Sequence, residues 1–176
     1  LKYIVDEFET GRSGANTHIL VRHGGKATLH QANTANGVKL AIRKFKYKKN
    51  RITIGGDNRA LGTRLKKILK LKSKVSNIHT EMNILYEKTG GDAKKVKNAL
   101  TGVDVTVDKA CCKMCYQWMK VANANVEDGS DFQKDGIDDR ESFSWSNPFT
   151  GKSITKTAMK GMKSQEIIKY VNDEIK

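Results

Sequence analysis

The sequence predicts an α/β fold, a sandwich of helices around a mixed sheet of about five strands, and three observations predict it. Short β-rich runs crowd the first sixty residues. From residue 59 onward, stretches with helical spacing alternate with one clear β run. At 176 residues the chain has the length of one ordinary domain and can bury a real core without disulfides. We read residues 1–58 as a strand-rich amino-terminal part and residues 59–176 as the α/β core of the same domain.

The early strands are Thr17 to Arg22, Ala27 to His30, Val38 to Tyr47 and Arg51 to Ile54, separated by turns that carry Gly and Asn. Leu61, Leu65, Ile68 and Leu69 follow helical spacing, which predicts an amphipathic helix from Arg59 to about Leu71 with a basic outer face. After a loop at Ser73 to Asn77, a second helix is expected from Ile78, capped by Ser76 or Asn77 and ended by Gly90-Gly91. Ala93 to Leu100 reads as one or two helical turns. Val103, Val105 and Val107 alternate as a strand, and a helix follows from Cys112 to about Ala122. The acidic, turn-rich stretch Glu127 to Glu141 reads as a long loop and Ser142 to Ser146 as a last strand. Lys156 to Ile175 reads as one terminal helix, with Met159, Met162, Ile167, Ile168, Val171 and Ile175 roughly on one face.

The net charge of +14 is unevenly spread. Between Lys39 and Lys74 fourteen lysines and arginines stand against one acid, Asp57, a net +13. A field that concentrated attracts polyanions by releasing their condensed counterions, and nucleic acid is the foremost candidate. Lys46, Lys48, Lys49, Lys66, Lys67 and Lys70 are the expected contacts; an anionic membrane or an acidic protein competes for the same charge. No apolar run is long enough to span a bilayer, so membrane insertion is not expected. The chain opens at Leu1 with no methionine and no signal peptide, and so reads as a fragment of a longer protein.

The three cysteines, Cys111, Cys112 and Cys115, fall within five residues. That is no disulfide framework; a redox pair is compatible with the spacing, but metal ligation reads better. His79 and Glu81 lie at the expected start of one helix and Cys112 and Cys115 at the start of another. Helix starts offer free N–H groups and a positive dipole end, which favour thiolate over thiol. One imidazole and two thiolates make a three-ligand zinc set with a fourth position open to water, the pattern of a catalytic site. Glu81, two residues from the histidine, is placed to exchange a proton with that water without binding the metal.

His79-Thr80-Glu81 followed by Cys112-Lys113-Met114-Cys115 resembles the His-x-Glu and Cys-x-x-Cys signature of the zinc nucleobase deaminases, the cytidine-deaminase-like superfamily. The likeness covers Ser76 to Cys115 and the order helix, strand, helix around the motifs. It implies a three-layer α/β/α sandwich, one Zn2+ per chain on His79, Cys112 and Cys115, and Glu81 as the acid/base. The reaction implied is hydrolytic deamination at C4 of cytosine or C6 of adenine, with cytosine favoured. Where the family has proline before the first cysteine this chain has Cys111, which either fills that place or replaces Cys112 as ligand. The family spacing favours Cys112.

The lysine-rich chain also resembles the toxin domains of bacterial polymorphic secreted toxins. That likeness implies secretion from a bacterium, action in the cytoplasm of a target cell, and an acidic immunity protein as a further partner; without it a cytoplasmic location is expected. The +13 stretch favours single-stranded DNA or RNA as substrate over free nucleosides or nucleotides. The rival outside the enzymes is a non-catalytic zinc module that binds nucleic acid. Thr80, Asn58, Asn77 and Trp145 are candidate substrate contacts, with Asn50 an alternative asparagine and Phe149 a second aromatic for stacking on a base. Core packing is the simpler role for both aromatics, and ordinary surface or core positions suffice for His18, His23 and His30.

Overall fold

The computed structural model of the chain describes residues 18–24, 26–31, 52–107, 111–128 and 144–176. The expected strand at Val38 to Tyr47 and most of the acidic stretch after Asp128 lie outside these residues. Among them, no helix is long and apolar enough to cross a membrane.

Five strands form one mixed sheet. β1 (His18–His23) and β2 (Lys26–Gln31) pair antiparallel around Gly24, whose φ of +55° is open to glycine at little cost. β3 (Ile52–Asp57) runs parallel to β2, β4 (Asp104–Val107) antiparallel to β1, and β5 (Asn125–Asp128) parallel to β4, giving the order β3-β2-β1-β4-β5. Val105 of β4, opposite Val21 of β1, is fully buried. β5 corrects the expected loop at its start. Its single apolar residue, Val126, was too little to mark a strand, and it is the parallel partner in β4 that makes it one.

Helix α1 (Asn58–Ile68) follows β3 directly. Leu61 and Leu65 are buried, whereas Ile68 is 56% exposed and not on the apolar face as its spacing suggested. The reason is that the helix stops there: Lys70 takes a φ of +52° and the chain turns back across α1. At Gly62 the return is so close that Val75 donates its N–H to the Gly62 carbonyl at 3.2 Å, and a Cβ on Gly62 would sit 2.1 Å from the Val75 oxygen. Helix α2 (Thr80–Thr89) is buried along nearly its whole length, from Thr80 to Leu85 and again at Thr89, and packs on β1, β2 and β3 and on α1. It ends where expected, with Gly90 at φ +65° and the Gly91 N–H bonded to the Tyr86 carbonyl. The expected cap does not hold: neither Ser76 nor Asn77 caps α2, because the residue at its N-cap is His79, which makes no side-chain capping bond.

A short 3-10 turn at Ala93–Lys95 leads to β4, and helix α3 (Lys113–Val121) joins β4 to β5, the crossover that parallel strands require. The strand expected at Ser142 to Ser146 is a two-residue β6 (Trp145–Ser146) in a hairpin with β7 (Ser153–Ile154). The terminal helix is two helices, α4 (Lys156–Gly161) and α5 (Ser164–Glu174), because Met162 and Lys163 are both extended. Glu166 accepts from the Lys163 N–H at 2.6 Å and starts the second one. The break leaves Ile167 and Val171 buried and Ile168 42% exposed. α5 packs on α3, α3 on α2, and the buried side chains form one cluster that includes Leu65, Met82, Leu85, Met114, Trp118 and Trp145.

The crossing at Gly62 is directly testable. Gly62→Ala improves helix propensity but forces backbone apart, so it should destabilise the fold by roughly 1–3 kcal/mol in denaturant melts. Unchanged or raised stability would contradict the close crossing.

Candidate metal centre

Two helix N-termini converge on the site. His79 is the N-cap of α2, extended at φ −74° and ψ 151°, and Cys112 is the N-cap of α3, extended at φ −69° and ψ 158°. Cys112 accepts from the Cys115 N–H at 3.4 Å, so its sulfur serves as the cap of its own helix. The same bond places Cys115, one turn in, beside Cys112. The Nδ1 atom of His79 is 3.5 Å from the sulfur of Cys112 and 3.5 Å from that of Cys115. All three ligand atoms lie within 4.8 Å of one another.

Those distances test whether a metal fits. A tetrahedral ion with a metal–nitrogen bond of about 2.05 Å and metal–sulfur bonds of about 2.3 Å separates nitrogen from sulfur by roughly 3.5–3.6 Å. The observed edges agree, so the set is compatible with one metal ion. Such a set holds three positions of a tetrahedron and leaves the fourth to a non-protein ligand. The backbone of Ser144 hydrogen-bonds the His79 ring, the kind of outer contact that fixes the orientation of a ligating imidazole.

The electrostatics divide the three ligands: Cys112 favours the form that binds metal, whereas His79 and Cys115 favour the protonated form. Burial opposes a charge on His79, but the Cys112 thiolate, Glu81 and the Ser144 backbone outweigh it and raise the ring to about 9. Cys112 is held well below the usual thiol range, chiefly by a hydrogen bond from Cys115 and then by the charge on His79, against the opposing effect of burial. Burial, with its neighbouring thiols, pushes Cys115 well up. These directions favour a charged His79 ring and Cys112 sulfur and a protonated Cys115. Metal uptake at both sulfurs and the ring must expel protons.

Glu81 is 4% exposed in the first turn of α2. Burial raises its pKa, which His79 opposes and the Cys112 charge reinforces. A carboxyl group raised in this way holds a proton more readily than an exposed one, as an acid/base group must. Cys111 is fully buried, and its thiol hydrogen-bonds with Glu81 and with Cys115. Burial first, then the neighbouring negative charges, pushes that thiol far up, so it stays protonated, and it lies outside the three-residue ligand set. Of the two arrangements left open by sequence, the geometry favours Cys112.

The remaining candidates separate. Thr80 is buried, and its Oγ1 receives the Asn58 Nδ2 at 3.2 Å. Asn58 is 8% exposed with its amide turned onto α2. Asn77 is exposed at φ +57°, and its carbonyl accepts from the Ser146 N–H at 3.1 Å. Trp145 is fully buried in the core, edge-on to Tyr170 with ring centres 6.1 Å apart, and the partly buried Phe149 packs against that core, stacked on Trp118 at 5.5 Å. Lys66, Lys67 and Lys70 are exposed at the end of α1, while Lys46, Lys48, Lys49 and Asn50 lie outside the described residues. Lys66 is eight residues from Asn58, about 12 Å along the helix axis at 1.5 Å per residue. Sequence reasoning missed Asn83, a fully buried amide on α2 that bonds Asn58 at 2.9 Å. A lone amide among Met82, Ile84 and Leu85 was the available signal.

No protein-family model, curated protein or solved structure matches this chain. The chemistry of the site is therefore read from its own residues.

Metal analysis checks the centre. The purified chain should carry about one equivalent, since three ligands specify a single site. His79→Ala and Cys115→Ala should each lose most of it, and Cys111→Ser should keep it. Full occupancy in the first two variants, or loss in the third with retention in Cys112→Ser, would overturn the assignment.

Proposed function

We propose that the chain is a zinc-dependent hydrolytic deaminase of the cytidine-deaminase-like kind, acting on a base in single-stranded nucleic acid, cytosine ahead of adenine. The observation that carries this reading is the His79 nitrogen 3.5 Å from both sulfurs, with the buried Glu81 carboxyl on the same helical turn. One imidazole and two thiolates suit zinc among common divalent ions. When bound, zinc supplies an acidified water at the position that the three protein ligands leave open.

The protein's own part is proton transfer and orientation. Glu81 takes a proton from the attacking water and returns it to the departing amine, which leaves as ammonia. Its raised pKa serves the second step as much as the first. The neighbouring Cys111 thiol favours the ionised form of the Glu81 carboxyl, against the effect of burial. Free N–H groups at the two helix starts are available to the base. A non-catalytic zinc module has no use for a buried carboxyl in the turn that follows its histidine, and burying a carboxyl is costly. The sheet and helices support the proposal that the fold is the three-layer sandwich of that superfamily, since the Glu81 helix, β4 and the Cys112 helix follow in the order that the family shows.

The exposed Lys66, Lys67 and Lys70 favour a polyanionic substrate over a free nucleotide, a field that extends through Lys72 and Lys74. The same proposal takes in a toxin role: secretion from a bacterium, action in the cytoplasm of a target cell, and neutralisation by an acidic immunity protein whose charge complements the +14 of this chain.

Glu81→Gln decides between enzyme and binding module. It keeps size and hydrogen bonding but cannot accept the proton, so zinc should stay bound while turnover falls by roughly 10²–10⁴-fold. Nucleic acid sequenced from cells expressing the parent chain should carry C-to-T or A-to-G changes that the variant lacks. Equal deamination by zinc-loaded Glu81→Gln and the parent would end the enzyme reading.

A further inference from the structure

We propose that Asn58 is a positioning residue for the metal centre, and that Asn83 holds it in the working orientation. Neither residue belongs to the ligand set. Asn58 opens α1, at the end of β3, and its Nδ2 donates to the Ile78 carbonyl at 2.8 Å and to Thr80 Oγ1 at 3.2 Å. Those two acceptors flank His79 in the chain, so one amide group grips the backbone before the ligand and the side chain after it. Asn83 Nδ2 donates in turn to Asn58 Oδ1 at 2.9 Å, which fixes the orientation of the Asn58 amide. Asn58, Thr80 and Asn83 are 8%, 1% and 0% exposed, so these bonds face little competition from water.

The grip answers a local need. At the N-cap of α2 a Ser, Thr, Asp or Asn would turn its side chain back onto the free N–H groups of the first turn, but the residue there is His79. It makes no such bond, because its Nδ1 faces the two sulfurs. The extended conformation that aims the ring therefore has no local support from the ring itself. Asn58 supplies that support from another element by pinning both neighbours of His79, and it fixes the start of the turn that carries Glu81. The two asparagines thus do for the backbone of His79 what an outer hydrogen bond does for its ring.

This inference rests on the metal centre above and not on the identity of the substrate. The experiment compares zinc affinity, by competition with a chromophoric chelator, and the visible spectrum of the Co2+-loaded protein, in the full chain. Asn58→Leu keeps the shape and removes both donors. Thr89→Val is the control: it removes a buried hydroxyl bond to Leu85 at the opposite end of α2 and leaves the first turn alone. Asn58→Leu should weaken zinc binding roughly 10–100-fold, the usual cost of losing an outer partner of a metal ligand, and shift or broaden the cobalt bands. Thr89→Val should lower thermal stability with affinity and bands unchanged. Should Asn58→Leu fail to fold, Asn83→Leu tests the same grip through the released amide, with an affinity loss and band shift in the same direction. Parent-like affinity and spectrum in the folded variant, or equal losses in Thr89→Val, would overturn the positioning role. A parent chain that takes up neither metal would overturn the metal centre itself, and this role with it.

Discussion

The structure around the site depends on one constraint, that the His79 imidazole must face two sulfurs which belong to a different helix. Cys112 and Cys115 reach their places through α3, whose first turn is closed by the sulfur of Cys112 itself. His79 reaches its place through α2, whose first turn its side chain leaves uncapped. Two helix N-termini must therefore meet within a hydrogen bond's length, and much of the nearby packing serves that meeting. α2 is buried against three strands and against α1, α3 lies on α2, and α5 closes over α3. The hairpin at Trp145–Ile154 adds a backbone bond to the same segment, from the Ser146 N–H to the Asn77 carbonyl, and the backbone of Ser144 just before it acts on the His79 ring.

Bringing titratable groups together in a dry place has electrostatic consequences. The positive end of α3 and the His79 ring both favour negative charge on the Cys112 sulfur, and this compensates a burial of charge that would otherwise be costly. Glu81 is the member left without full compensation: burial raises its pKa, and the charge on His79 only partly opposes that. Cys111 belongs to this balance as a neutral donor. It stands next to a ligand in the chain, yet its thiol turns to the carboxyl and not into the ligand set.

The chemistry of the site was more legible in the sequence than its support. His79, Glu81, Cys112 and Cys115 could be read because metal ligation and acid/base work need those residue types at fixed offsets from helix starts. Two elements were legible for a similar reason: Leu61 and Leu65 in α1, and Val105 and Val107 in β4, repeat with the period of their element. What escaped depended on tertiary partners. β5 carries one apolar residue and is a strand because β4 lies beside it. Ile68 has helical spacing, but α1 ends at it. The terminal helix divides at Met162-Lys163, where the apolar spacing continues and only the Glu166 cap marks a new start. Asn58 reads in sequence as a polar residue free to meet a ligand, and only the fold shows its amide occupied by Ile78, Thr80 and Asn83.

The central claim is that one imidazole and two thiolates, and not three thiolates, hold a single metal ion. X-ray absorption on the zinc-loaded chain measures that shell directly. It should show two sulfurs at about 2.3 Å and two nitrogen or oxygen neighbours at about 2.0–2.1 Å, the histidine and the open position. A shell of three sulfurs would bring Cys111 into the ligand set, and a shell without sulfur would remove the site altogether; either result contradicts the account.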